Sequence, residues 1–252
     1  MLDRAWRIAA LAVRSAVTLG LNMKNTSEGT ANISKEARYR VWWCLYTFEH
    51  MLGIMTGRAT TITDGICTTP FPLPFEEDQL VEAVATKLLN EPELRQEHID
   101  SALACISVRQ MPSNPKGGRN AQTTDKPRDP AWLRSLPPSS ALGFLYYVDL
   151  AVISQEIVNR VYSLDCISIP WGHIENRIGE LRARTDVWYA NLHESYDFTR
   201  REEDQPAATL RGKLFLAFHY YSARITLGRP CLCRRDARQT ASNKKETFSH
   251  EM

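Results

Sequence analysis

Three prolines at alternate positions, Pro70, Pro72 and Pro74, constrain this chain more than any other feature. Each lacks an N–H, fixes its own φ and pushes the preceding residue toward extended backbone, so no helix crosses the stretch. Just upstream, residues 36–55 carry wide apolar coverage at helical spacing around a tandem tryptophan, Trp42 and Trp43. Gly57 supplies a helix stop. The combination predicts a central, mostly buried helix, a sharp exit, and an extended strip laid across the domain. Val41, Leu45, Phe48 and Leu52 form one stripe, and Trp42, Glu49 and Gly53 lie beside it.

The rest of the chain reads as helices. Residues 4–19 repeat Trp6, Ala9, Val13, Ala16 and Val17 on one face, and Gly20 suits a left-handed C-cap. Ser34 is the expected N-cap of the second helix, with Glu36 in its first turn, where the dipole favours an acid. Residues 78–110 resume a helical pattern broken near Pro92. Residues 142–164, 171–192 and 207–227 follow, the last on Leu210, Leu214, Ala217, Tyr221 and Ile225, stopped by Gly228, Arg229 and Pro230. Six of the 13 prolines fall in 111–138 beside Gly117–Gly118, a linker or disordered insert. The expected class is therefore all-α, an irregular multi-helix bundle of six to eight helices with a Pro-rich extended strip and a disordered central insert. Its parts are 1–110, the insert 111–138, a second helical part of the same domain at 139–233, and a polar tail at 234–252.

Composition narrows the function classes. A net charge of +2 on 252 residues gives no global field toward nucleic acid. The acids of 76–100 read as a solvated face. Six scattered cysteines form no disulfide framework, which indicates a reducing compartment; Cys44, inside an apolar run, reads as a small core residue. No apolar run suggests a membrane span.

Catalytic and metal motifs are weak. His193-Glu194-Ser195-Tyr196-Asp197 has only the front half of H-E-x-x-H, and Cys231-Leu232-Cys233 has no second pair to complete a zinc site. There is no G-x-S-x-G, P-loop or G-x-G-x-x-G. Glu49 lies on an apolar flank, where a carboxylate needs a partner; Arg58, just past Gly57, is the expected one. The tryptophans read first as core anchors and second as walls of a ligand pocket between helices. RRDAR in the tail reads equally as solvated tail and as part of a nuclear import signal.

At the second helix the sequence resembles a known family. Arg38, Arg40, Trp42, Trp43, Leu45, Tyr46, Glu49, Gly57, Arg58, Asp64 and Pro74 follow, in order, the pattern of the regulatory middle homology domain of fungal binuclear zinc-cluster transcription factors. Ala59 stands where the family has proline. AVRSAVTLGLN at the first helix, VISQEIVNRVYS after the insert and YYSARITLGRP, with Arg229 and Pro230, are similar to further family segments.

The resemblance implies a nuclear transcription regulator whose DNA contact is made by an N-terminal six-cysteine zinc cluster. This chain has no such cluster and begins near the family's A-x-R-x-A helix. The expectation is an effector-sensing regulatory domain, not an enzyme, with no metal, DNA-binding or catalytic residues of its own. A small-molecule effector, a co-regulator or a second copy is its expected partner, and exposed apolar surface is expected to favour association. The competing readings are a hydrolase using His193 and Glu194, and a purely architectural scaffold.

Overall fold

The computed structural model describes residues 1–62, 67–105, 131–200 and 206–233. Its described residues form eight α-helices and no strand: α1 (Leu2–Thr18), α2 (Asn32–Thr56), α3 (Ala83–Asn90), α4 (Pro92–Ala102), α5 (Ala131–Ser135), α6 (Ser140–Val161), α7 (Trp171–Ala190) and α8 (Ala207–Cys233). The all-α class is as the sequence predicts.

Local chemistry sets most boundaries. Gly20 at φ 66° closes α1, with Leu21 N–H donating to Ala16 carbonyl and Gly20 N–H to Val17 carbonyl, the paired bonds of a Schellman end. Gly57, also at φ 66°, ends α2. Pro92 opens α4 at its first turn, where a missing N–H costs nothing. Ser139 caps α6 by accepting from Leu142 N–H at 3.1 Å.

The centre of the bundle is α6, not α2. Leu142, Leu145, Tyr146, Leu150, Ile153 and Ile157 are all buried, and α6 contacts α2, α7 and α8. It is long and apolar enough by composition to cross a membrane, which the sequence reading did not anticipate. Here its apolar surface is spent on helix neighbours.

Several sequence expectations need correction. α2 starts at Asn32, without a side-chain cap from Ser34, so Glu36 sits in its second turn and is fully buried. Its inward face is Tyr39, Trp42, Trp43, Tyr46, Glu49 and His50, while Val41, Cys44 and Phe48 are exposed. Apolar residues surround α2, so periodicity alone could not choose a face; hydrogen-bonding partners for the indoles and carboxylates chose it. The far end of the expected insert is also ordered, with α5 burying Leu133. Its remainder, and the RRDAR tail, lie outside the described residues.

α8 departs most. It continues through Gly228, Arg229 and Pro230 to Cys233. Pro230 cannot donate to the Thr226 carbonyl four residues back, but Tyr162 hydroxyl donates to that carbonyl at 2.5 Å. Its core face carries Leu216, Ala223 and Leu227, whereas the expected stripe of Leu210, Leu214, Tyr221 and Ile225 is exposed.

Candidate functional site

Two sites emerge, a polar hub that seats the proline strip on α2 and a cavity where the strip ends. In the hub, every residue from Phe71 to Phe75 is buried without a sheet to satisfy its backbone. Side chains do so instead. Trp43 indole N–H donates to Pro70 carbonyl at 2.7 Å, and its ring stacks on Phe71 at 4.7 Å. Arg95 Nη2 donates to Phe71 carbonyl. Arg40 Nη2 donates to Phe75 carbonyl at 2.5 Å. Glu36 holds the two guanidiniums: its carboxylate lies 2.7 Å from Arg95 Nη2 and 3.1 Å from Arg40 Nε, and accepts from Leu73 N–H at 2.8 Å. A buried carboxylate beside two guanidiniums and a backbone donor has its charge paired, which is the condition for burying charge at all; its Oε2 and Arg95 Nε make no hydrogen bond.

The other motif residues surround this hub. Trp42 is buried, its indole N–H directed at Cys67 Sγ at 3.2 Å. Arg38 donates to Leu19 carbonyl at 2.7 Å and so ties α2 to the end of α1. Pro74 is part of the buried strip. Arg229 and Pro230 lie far along the chain in α8. Asp64 lies outside the described residues.

Glu49 and Arg58 are not brought together. The Glu49 carboxylate accepts from the backbone N–H groups of Thr61 (2.8 Å) and Ile62 (3.2 Å) and from Thr61 hydroxyl, folding the chain back onto the helix. Gly53 permits this return: a Cβ there would stand 3.1 Å from Arg58 carbonyl. Arg58 points the other way, pairing with Asp3 at 2.9 Å and lying over the Trp6 ring at 5.0 Å. The physical reason is local. Two N–H groups beyond the glycine turn satisfy a buried carboxylate without dragging a long cation into the core, and the guanidinium stays half solvated.

His50 is a further buried titratable group beside the hub, edge-on to Tyr46 at 4.1 Å. Neither ring nitrogen has a hydrogen-bond partner, and burial pulls its pKa down to about 3. It is therefore a neutral core ring.

The cavity, of about 850 Å³, opens between α6 and α8. Phe144, Tyr147, Phe215 and Leu216 line it on those helices, and Pro137, Pro138 and Tyr196 from the connecting segments. Glu76 and Gln79, where the strip ends, and Arg211 supply polar groups. Glu76 also accepts from Ala141 N–H at 3.0 Å, so the strip terminates on the N-terminus of α6, where a carboxylate is favoured. Tyr196 is wedged between helices: a Cβ on Gly143 would stand 3.2 Å from its hydroxyl, and one on Gly212 3.1 Å from its ring. Its hydroxyl donates to Ser139 carbonyl at 2.6 Å. Burial raises the Tyr147 and Tyr196 pKa values, so both remain donors.

Sequence reasoning missed Glu36 as a core residue, Arg95, and this whole cavity. The one available signal was Gly143 and Gly212 inside helical patterns, since glycine there costs about 1 kcal/mol against alanine and marks a close approach.

The residues suspected of hydrolysis do not assemble. His193 Nδ1 accepts from Ser195 N–H at 3.1 Å, a turn cap, and Glu194 is exposed. Asp197 accepts from Tyr189 hydroxyl at 2.7 Å and pairs with Arg200 at 3.1 Å. Among the described residues no cluster of three His, Cys, Asp or Glu side chains could hold a metal, and Cys44, Cys67, Cys105, Cys166 and Cys231 are free thiols. These residues do not fit a zinc cluster.

Comparison with known proteins identifies the family. Residues 2–190 match the model of the fungal specific transcription factor domain. The chain is 34% identical over 239 residues to transcription regulator galc of Aspergillus niger, covering 92% of this chain and 27% of that protein. It is 34% identical over 88 residues to protein STB5 of Saccharomyces cerevisiae, covering 34% of this chain and 12% of that protein. Over 137 residues it is 25% identical to the positive regulator of purine utilization of Emericella nidulans, 43% of this chain and 13% of that protein. The matched region thus spans about a quarter or less of these relatives. No solved structure matches. With its proline strip seated on the tryptophan helix and three quarters of its length inside the family match, the chain belongs to the fungal specific transcription factor domain family.

Proposed function

We propose that this domain is the effector-sensing half of a nuclear zinc-cluster transcription regulator, and that the cavity between α6 and α8 is where a small molecule is read. The family places the chain in transcription regulation. The observation that carries the sensing role is that four separate parts of the fold meet at one cavity: the end of the strip at Glu76, the segment entering α6 at Pro137–Ser139, the Tyr196 turn, and the start of α8. Its volume lies within the usual range for small-molecule sites, roughly 300–1,000 Å³, and its walls are largely apolar with a few polar groups. A ligand there touches all four of these parts at once. It therefore biases any equilibrium between arrangements of those segments. DNA contact belongs to a zinc cluster outside these residues, and no catalysis is assigned.

The test uses the 252-residue chain and a variant, Ser140→Trp, that fills the cavity from an exposed rim position. A panel of small amphiphilic metabolites is screened by thermal shift, and positives are carried into a reporter assay with the chain fused to a heterologous DNA-binding domain. A compound that raises Tm and alters reporter output in wild type, but not in Ser140→Trp, supports the reading. Equal responses in both proteins remove the cavity from it, and no response to any compound leaves the architectural scaffold.

A further inference from the structure

The exposed face of α8 carries an inference on a different surface from the cavity, the two sharing only Arg211. Leu214 (61%), Phe218 (58%), Tyr221 (51%), Ile225 (70%) and Leu232 (79%) are all bare. Their spacing is 4, 3, 4 and 7, with the small Gly228 at the position the 3–4 alternation skips. This is the a/d seam of a helix that pairs with another helix, about 27 Å long at 1.5 Å per residue. The opposite face of α8 is already used, with Leu216, Ala223 and Leu227 in the core. The bare seam is therefore a second apolar face on a helix that needs only one to be held in place.

Charge selects the occupant. Residues 207–233 contain Arg211, Lys213, Arg224 and Arg229 and no Asp or Glu. Lys213 is buried, donating to Arg200 carbonyl at 2.7 Å. Arg224 leans on Asp186 of α7 and on the Tyr220 ring. Arg211 and Arg229 are exposed, one at each end of the seam. A second copy of α8 fits badly. In a parallel pair the flanking positions five residues apart face each other, which sets Arg229 of each copy against an Arg224 already paired with Asp186 and offers it no carboxylate. In an antiparallel pair the flanks again bring only cations and neutral residues together. Like charges at such positions act against pairing.

We propose that α8 docks an acidic amphipathic helix of a partner protein, with Leu, Ile or aromatic residues at its own a and d positions and carboxylates placed to meet Arg211 and Arg229. The seam supplies the apolar contact, and the two arginines fix register and direction.

The probe is a fluorescein-labelled synthetic helix of about three heptads, Leu and Ile at a and d, Glu at the flanking positions, and its twin with Lys in place of Glu. Anisotropy titrations use the full 252-residue chain. The Glu helix binds about tenfold or more tighter than the Lys helix. Ile225→Asp, at a solvent-exposed position, abolishes binding while leaving the circular dichroism melt unchanged. Arg229→Glu, outside the cavity, removes the preference, and adding Arg211→Glu reverses it, a result that general stickiness cannot give. Equal binding of both peptides, binding that survives Ile225→Asp, or a dimer in sedimentation velocity that Ile225→Asp dissolves would each overturn the proposal, the last assigning the face to a second copy.

Discussion

Replacing Glu36 interrogates the hub where its chemistry is most concentrated. The carboxylate is wholly enclosed, 2.7 Å from Arg95 Nη2, and the Arg95 side chain is itself only 8% exposed. Glu36→Gln keeps the shape and an oxygen for Leu73 N–H but removes the charge. That leaves Arg95 a buried cation without its counter-ion, a situation that costs about 3–5 kcal/mol. Glu36→Ala also orphans the Leu73 N–H, adding about 1–3 kcal/mol. Domains of this kind have about 5–15 kcal/mol of stability in total, so the Gln variant loses a large part of it and the Ala variant sits near unfolding. The companion is Glu36→Leu with Arg95→Met. Replacing both charges by apolar groups of similar volume is close to neutral. Here the Phe71 carbonyl loses its donor and Arg40 loses its partner, so recovery is partial, with a coupling of about 2 kcal/mol between the two sites. Urea unfolding followed by circular dichroism and tryptophan fluorescence gives all four corners of the cycle. A Glu36→Gln cost below about 1 kcal/mol, or a double variant that loses the sum of the singles, refutes the hub as a charge-centred structure.

Three other outcomes follow from the same structure. Arg58→Ala costs less than about 1 kcal/mol, and the loss shrinks with added salt, because Arg58 and Asp3 are 40% and 63% exposed and such pairs are weak and screened; a loss of several kcal/mol by urea melt would restore a core role for Arg58. His50 binds its proton near pH 3 when folded and near 6.5 when unfolded. Its contribution is therefore present above pH 6.5 and lost as pH falls toward 3, by on the order of 5 kcal/mol; His50→Leu flattens the urea-measured stability over that window, and an unchanged slope contradicts the assignment. Gly212→Ala loses about 1 kcal/mol despite alanine's better helix propensity, because its Cβ presses on a Tyr196 ring fixed from the Gly143 side and by Ser139. In a Tyr196→Leu background the same change becomes stabilising in a thermal melt.

How much of this was readable beforehand depends on the distance over which each residue acts. Gly20, Gly57, Pro92 and the strip were legible because turn and proline chemistry is local. Trp42 and Trp43 were legible as anchors because nothing but a core accommodates two adjacent indoles inside a helix. Glu36 was not, since an acid near a helix start has a sufficient local explanation, and its partner Arg95 belongs to a different helix. Glu49 was correctly marked as a carboxylate in need of partners, but backbone N–H groups are invisible to a search for cations. Pro230 read as a stop because the hydroxyl that rescues α8, on Tyr162, is remote in sequence. The cavity was hidden for the same reason: its walls come from segments no periodicity connects, and glycines at 143 and 212 were its sole trace.

The strip from Pro70 to Phe75 bears on how the protein avoids aggregating. It is non-helical and buried from Phe71 to Phe75, and such a segment ordinarily presents a row of donors and acceptors to any neighbour. Here its carbonyls at Pro70, Phe71 and Phe75 are taken by Trp43, Arg95 and Arg40, and its Leu73 N–H by Glu36. The three prolines have no N–H to offer. A chain released from the hub by partial unfolding would still lack donors at every second position, and so could not template the cross-strand ladder from which fibrils grow.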